Sequence, residues 1–540
     1  MPIGPCLLAR ASIFVAALNL LAPLASAVQN AVEDQRIQAP ASALVGTTAF
    51  GESVGVDGDR MVVGASRLSV QGAGQAGRVY VYERAPDGTW ALVQEIASPT
   101  AGVSNEGFGA AVDVEGDRIV IATRTGGRAF VYEHVAGVGF ELVSTLFAEL
   151  GSSDFGDCID LEGDRFVVGS ISNGFSTANS GAINVFARGA NGVWVREDTI
   201  LGPTGVIGPP SYSSRFGSSV DLQGDAVLVG APRQRYAGLE SGAAFVCRRN
   251  SQGEWNVTDL IVSPNPAAFT EFGSAVAWKG ETAAVSARLE VGPVTTGRVH
   301  VYHAPQFGPW SLDATLVANS ATDSGYGIGV DIDAERLFVA HGNSTKQMDV
   351  WQRRSNGTWL LETKVAVAPG ASGFFDDQSM VADAGFVHFF GSGTGTRFIA
   401  ELELGTLYRA SASITASGGG TQAFTVRATD ANAGRLCVVL GSLSGTAPAT
   451  VLDGNNGPVV LPLVADAYTL TLIQATGAGF ISPWAFVLDA TGGGTSTFTL
   501  PPLVASAFAG QRLHHACLYF DAATLALEGA SNAVALDLLP

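Results

Sequence analysis

Lysine is nearly missing from this chain: Lys279, Lys346 and Lys364 are the only three among 30 basic residues in 540. Charged residues of either sign make up only 15%, the net charge is −19, and no run of basic residues occurs. A chain without a positive patch has nothing to lay against phosphates, so nucleic acid and an anionic membrane face are not expected as partners. The arginine bias, with abundant Gly and Ala, fits a GC-rich bacterial genome. Histidine is scarce too, with seven residues scattered along the chain. Only His514 and His515 adjoin, and neighbouring residues of a strand face opposite ways, so they are not expected to share a metal ion. No H-E-x-x-H string occurs, and no Lys is followed by Ser or Thr as a phosphate-binding loop requires. Asp376 and Asp377 would form an acid–base pair only if both reached one channel; an exposed loop is expected instead. Enzymatic chemistry is therefore not expected.

Cysteine is limited to five residues. Cys6 precedes the apolar stretch 11–24 and so is not a lipoprotein cysteine. That stretch follows Arg10 and ends at Ala25-Ser26-Ala27, the layout of a secretory signal peptide covering residues 1–27. Cys437 and Cys517 lie in strand-like runs and could pair in an oxidising compartment. Cys158 stands where other repeats carry Ser or Ala, and Cys247 where another carries Tyr82, so both read as small buried hydrophobes.

What the chain does have is a repeat. An aromatic-Gly pair, a Val-Asp strand, a Gly-Asp turn and an apolar run recur about every 54 residues. The pairs stand at Phe50-Gly51, Phe108-Gly109, Phe155-Gly156, Phe216-Gly217, Phe272-Gly273 and Tyr326-Gly327, with a degraded seventh at Gly373-Phe374-Phe375. Each unit spells a four-stranded antiparallel meander. Its second strand, such as Met61-Val62-Val63-Gly64, is apolar at successive positions, as strands covered on both faces are. The last unit lacks a fourth strand, and an orphan segment from Asp34 to Pro40 resembles the missing one. Pairing the two ends would close a ring and remove its open edges.

Phe216-Gly217-Ser218-Ser219-Val220, followed by Leu228-Val229-Gly230-Ala231-Pro232, resembles the FG-GAP repeat of integrin-α-type seven-bladed β-propellers. The resemblance spans residues 34–404 and implies an all-β, seven-bladed propeller. It also implies Ca²⁺ loops of the form D-x-[DN]-x-[DN]-G-x-x-D, from which this chain departs. The nearest candidates, Asp160, Glu162 and Asp164 in one turn and Asp331, Asp333 and Glu335 in another, are too short to wrap an ion. They read as ordinary acidic hairpins, and no cofactor is expected. An aromatic recurs after a turn at Trp90, Phe140, Trp194, Trp255, Trp310 and Trp359; these are expected to anchor blade packing rather than stack on sugars.

From residue 406 the texture changes, with only 11 charged residues in the last 135. Short apolar runs separated by Gly, Asn and Pro turns predict a C-terminal β-sandwich over 406–540, faintly resembling terminal modules of secreted planctomycete proteins. The uncharged stretch 467–488 is broken by Gly477, Gly479 and Pro483, so no membrane span is expected after signal cleavage. The reading is a monomeric, secreted or cell-surface, non-enzymatic binding protein whose propeller loops engage an extracellular protein or glycan. Its rivals are a hydrolase or lyase working at the channel, and a structural matrix component.

Overall fold

The structure is a computed structural model that describes residues 30–32, 35–43, 49–70, 72–85, 89–100, 103–149, 152–173, 180–203, 214–291, 296–305, 308–318, 325–333, 336–342, 347–354, 357–366, 371–372, 380–383, 386–393, 396–403, 407–409, 413–415, 420–427, 432, 434–444, 446, 450–454, 457–461, 463–465, 481–489, 493–500, 511–531 and 533–539. The signal segment, Glu335, the Gly373-Phe374-Phe375 repeat mark and the Asp376-Asp377 pair lie outside these residues. The described chain is all-β apart from one short 3-10 turn at Ala41–Ala43. It divides into two compact units: residues 35–351 with 367–401, and residues 402–540 with 1–34 and 352–366.

In the first unit the repeats become successive sheets. Sheet 1 runs Phe50–Asp57, Arg60–Ala65, Arg78–Arg84 and Trp90–Ala97, each strand pairing with the next. Sheets 2 to 5 repeat this order, opening at Phe108–Glu115, Ser152–Glu162, Val220–Gln223 and Phe272–Lys279. Sheet 6 opens at Tyr326–Asp333 and continues through Arg336–His341 and Gln347–Arg353. Sheet 7 has Met380–Asp383, Phe386–Gly393 and Thr396–Glu403. Its outer strand comes from the other end of the chain. Gln35–Gln38 pairs antiparallel with Thr396–Glu403, setting Ile37 opposite Ile399, as the orphan segment predicts. Ile37 and Ile399 are buried in one cluster with Phe50, Val54 and Met61 of sheet 1, so sheet 7 also packs onto sheet 1.

Local chemistry explains the repeat marks. Each Phe or Tyr of the aromatic-Gly pair is buried, and in sheets 1 to 5 it meets an aromatic of the third strand, as in Phe50–Tyr80 at 5.5 Å and Phe216–Phe245 at 5.6 Å between ring centroids. The glycine that follows takes φ between 82° and 88° in all six copies, a conformation that costs other residues dearly. The second-strand glycine has a different reason. A Cβ on Gly64, Gly169 or Gly230 would come within 2.2 Å or less of the carbonyl oxygen of Gly109, Gly217 or Gly273 in the next sheet. Second strands are buried along nearly their whole length, whereas outer strands such as Trp90–Ala97 are mostly exposed. Each outer strand of sheets 1 to 5 carries a one-residue bulge at an equivalent place, at Val93, Val143, Glu197, Thr258 and Asp313. A bulge there spoils the edge for pairing with another chain.

In the second unit, Asn30–Val32 pairs in parallel with Trp359–Ala366. Two larger sheets follow. One runs Leu407–Arg409, Gly420–Arg427, Gly493–Leu500, Ile481–Ser482; the other runs Ser413–Thr415, Val534–Leu539, Arg512–Phe520, Leu436–Ser442, Ala485–Val487. Phe424, Val426 and Phe498 of the first share one core with Cys437, Val439, Leu513, Cys517 and Leu536 of the second. Both sheets thus contribute side chains to one common core.

Candidate functional site

The inner strands of all seven sheets line one cavity of about 670 Å³. An inner strand is a sheet edge, so its N–H groups need partners from elsewhere. The repeat supplies them from the preceding sheet. Asp113 accepts the N–H of Leu161 at 2.8 Å, Asp160 that of Leu222, Asp221 that of Trp278 at 2.7 Å, and Asp331 that of Ala382 at 2.6 Å. Gly55 and Ala277 occupy the matching positions in sheets 1 and 5. These carboxyls line the cavity and keep part of their surface open to it, and burial is the first cause of their raised pKa values. Asp160 is pushed up to about 6 and Asp331 to about 7, while Asp113 and Asp221 are also raised, with the Asp160 charge as second cause in each.

A second tier binds the Gly-Asp turns at the channel rim. The turn glycines of sheets 2, 3 and 4 each donate their N–H to an acid of the preceding sheet: Gly116 to Asp57 at 2.5 Å, Gly163 to Glu115, Gly224 to Glu162. The same turns present their carbonyls to an arginine. Arg118 donates to Gly163 at 2.6 Å and Arg165 to Gly224 at 3.2 Å, and Arg60 reaches Gly116 likewise. Each arginine also pairs with the turn aspartate, Asp117 at 3.3 Å, Asp164 at 3.0 Å and Asp225 at 3.1 Å. Its guanidinium then lies over the next sheet's recurring aromatic, Phe140, Trp194 or Trp255, 5.0 to 6.0 Å from the ring centre. Phe140, Trp194 and Trp255 are buried in the cores of their sheets, as the packing reading expects, whereas Trp90, Trp310 and Trp359 are only half-buried.

The acidic turn residues are therefore separated in their roles. Asp160 holds Leu222, Glu162 caps Gly224, and Asp164 pairs with Arg118; Asp331 holds Ala382, and Asp333 ends its strand opposite Arg336. Among the described residues no group of three or more His, Cys, Asp or Glu is placed to hold a metal ion. His514 is partly exposed while His515 is buried with its pKa lowered to about 3 by burial first, so the two do face apart. The string Gly51-Glu52-Ser53-Val54-Gly55 has the G-x-S-x-G spacing of a hydrolase nucleophile elbow. Ser53 lies inside a strand, 1% exposed, and donates to the Gly109 carbonyl at 3.1 Å, so it braces a seam.

The opposite end of the strands offers different chemistry. Second-to-third strand links and sheet-to-sheet links emerge there, and around sheets 4 and 5 they expose Leu239, Phe269, Leu289 and Val291, Phe269 by 65% and Val291 by 78%. Their backbone is tied down. Phe269 N–H donates to Glu240 at 2.6 Å, Thr270 Oγ1–H to Ser241 at 2.8 Å, and Leu289 N–H to Thr270 at 3.1 Å. Phe269 and Glu271 are held at φ of 61° and 54°, a strained region for such residues. Beside Leu289 and Val291, buried Glu290 pairs with Arg298 at 3.0 Å and His300 at 2.9 Å, and His300 meets Thr315 at 3.1 Å. Nothing in the sequence pattern marked this patch, because its members fall in three separate links of unlike sequence.

Fold and seams together define a β-propeller. Residues 211–247 match the FG-GAP repeat family model. No curated protein matches the chain. Among solved structures, a protein from Lactobacillus plantarum is similar at 14% identity and a TM-score of 0.41, over 58% of this chain and 84% of that one. Proposed 6-phosphogluconolactonases from Bacteroides uniformis and Bacteroides fragilis are similar at 12% and 14% identity, with TM-scores of 0.42 and 0.41. They cover 59% and 65% of this chain and 85% and 94% of theirs.

Proposed function

We propose that this is a secreted or cell-surface binding protein, non-enzymatic, that engages an extracellular protein through the loop platform around Phe269. The observation that carries this reading is the platform itself: strained, hydrogen-bonded backbone and a buried Glu290–Arg298–His300 network hold apolar side chains out in water. Fixing a surface before contact lowers the ordering cost of binding, and exposed apolar clusters on fixed loops are what partners cover. Three aliphatic side chains and one phenyl ring suit a protein surface better than a glycan, which needs flat aromatic platforms and polar contacts. The channel supports binding over hydrolysis or lyase chemistry, since Asp113, Asp160, Asp221 and Asp331, which line it, are each already engaged by a backbone N–H of the neighbouring sheet.

The test is a panel of extracellular proteins and glycans probed with the purified chain and with a Phe269→Asp/Val291→Asp variant. Both positions are exposed, so the variant should melt with the parent and lose its protein partner. A variant that binds as the parent does refutes the platform. A partner that proves to be a glycan replaces the protein assignment, and turnover of a bound polymer would replace binding with catalysis.

A further inference from the structure

Arginines elsewhere in the propeller sit against acids: Arg118 against Asp164, Arg165 against Glu197, Arg288 against Glu271 and Arg298 against Glu290. Three at the loop end of sheet 4 do not. Among the described residues, the side chains of Arg215, Arg233 and Arg235 make no hydrogen bond, ion pair or ring contact. Arg233 is exposed, and Arg215 and Arg235 are half-buried. They form no run in the sequence, and the fold gathers them: Arg233 N–H donates to the Ser214 carbonyl at 3.1 Å, which sets it beside Arg215, and Arg235 opens the short strand Arg235–Tyr236 just beyond. In a chain with 49 acids against 30 bases, three unmatched guanidiniums at one place reverse the local sign of charge. The same hairpin leads to the platform. Arg235–Tyr236 pairs with Leu239–Glu240, and the Glu240 carbonyl accepts the Phe269 N–H at 2.6 Å, so exposed Leu239 and Phe269 continue the surface that the arginines begin. Two acids stand close by: Glu240, opposite Arg235 in the ladder, and Glu271, which Arg288 already engages.

We propose that the partner docks through an acidic segment, carboxylate side chains beside an apolar one, with the carboxylates on Arg215, Arg233 and Arg235 and the apolar group on Leu239 and Phe269. This rests on the protein-binding reading of the platform and adds the partner's charge. A guanidinium is a planar fork of donors that matches a carboxylate, and Arg and Tyr are favoured where proteins meet. Exposed charges steer the encounter and fix its register, while the apolar contact supplies retention. Glu240 opposes the incoming carboxylates, so it limits the affinity.

To test it, a displayed library of random dodecapeptides is panned on the immobilised full chain at about 50 mM salt, where surface charges are weakly screened. Enriched peptides should combine Asp or Glu with Leu, Ile or Phe. A synthetic copy of the commonest should bind the parent, weaken as salt rises, and bind roughly tenfold less tightly to Arg233→Gln/Arg235→Gln, which should melt with the parent. Glu240→Gln should tighten it, and Phe269→Asp/Val291→Asp should lose it. Enriched peptides without acid, lost on Phe269→Asp/Val291→Asp but indifferent to salt and to the arginine variant, overturn the inference and leave the platform standing. Acidic peptides that the arginine variant loses and Phe269→Asp/Val291→Asp keeps uphold the arginine site and overturn the platform. If no peptide is enriched the inference falls, and heparin binding in that case assigns the arginines to an anionic glycan. Should the arginine variant fail to fold, the composition of the enriched peptides and the salt dependence of the parent decide.

Discussion

Two neighbouring seams of the propeller solve one problem with different chemistry. Between sheets 3 and 4, the turn glycine Gly224 gives its N–H to Glu162 and its carbonyl to Arg165, an ionic solution that also engages Asp225 and Trp255. Between sheets 4 and 5 the arginine position holds Ala226, and Gln223 does both tasks: its Oε1 accepts from Gly280 N–H at 2.6 Å while its Nε2 donates to the Gly280 carbonyl at 3.2 Å. Trp278 Nε1–H adds a second donor to that carbonyl at 2.9 Å. The difference teaches that the turn demands one acceptor and one donor, and that charge is optional. What the ionic version adds is reach, since Arg165 also binds Glu197 at 2.9 Å, and Glu197 accepts from the Trp255 indole at 3.2 Å.

Breaking the ring altogether gives the largest expected effect. Deleting residues 35–38 strips sheet 7 of its outer strand and uncovers Ile399. The deletion variant should melt far below the parent and self-associate through the open edge; an unchanged melting curve with a monomeric sedimentation profile would show that closure adds nothing. Trp255→Ala comes next. The indole is 6% exposed among Val185, Phe216 and Phe245, so truncation should cost about 3–5 kcal/mol by denaturant unfolding, from lost transfer energy and the cavity left behind. A loss below about 1 kcal/mol would mean that the ring is a replaceable surface aromatic after all.

The blades were legible in the sequence because one physical requirement is met six times among the described residues. Positive φ calls for Gly after each aromatic, and the tight approach between sheets calls for Gly in second strands. Even the closing strand could be read, since Ile37 stands where a fourth strand was missing. The seams were not legible. Gln223 and Gly280 are 57 residues apart, Glu162 and Gly224 62, and only the closed ring brings them together. Asp160, Glu162 and Asp164 looked like one acidic loop because they adjoin in sequence, yet they serve three different partners. Phe269, Leu289 and Val291 belong to no period at all, which is why the platform needed the structure.

Arg165→Ala would turn the ionic seam into one with neither arginine nor glutamine donor. Glu197 keeps Arg249 at 2.7 Å, so part of its pairing survives. A loss of about 2 kcal/mol is expected, which a Glu197→Gln background should reduce because the two share one network. Additive losses in the double variant would separate the clasp from that network. The conservative Arg165→Lys should recover only part, since an ammonium cannot meet Gly224, Asp225 and Glu197 at once.

The smallest expected effect, on the order of 1 kcal/mol once solvent screening of these partly exposed carboxyls is allowed for, concerns pH and sets the inner tier against the rim. Asp331 is raised to about 7 and Asp160 to about 6 in the folded chain, by burial first, whereas an unfolded Asp titrates near 4. Across that window the folded state holds more protons than the unfolded one. Stability is therefore full below about pH 4 on this account and declines as pH rises through 6 to 7, because charge must then be carried in the channel wall. Asp113 and Asp221, raised in the same direction, steepen the decline; Lys279, whose charge lowers Asp221, softens it. Asp331→Asn keeps an oxygen to accept from Ala382 and cannot ionise. Its unfolding free energy should fall less than the parent's between pH 5 and pH 8. Equal slopes in the two proteins would mean that the Asp331 carboxyl is already charged at pH 5 and that the backbone N–H groups it holds outweigh its burial.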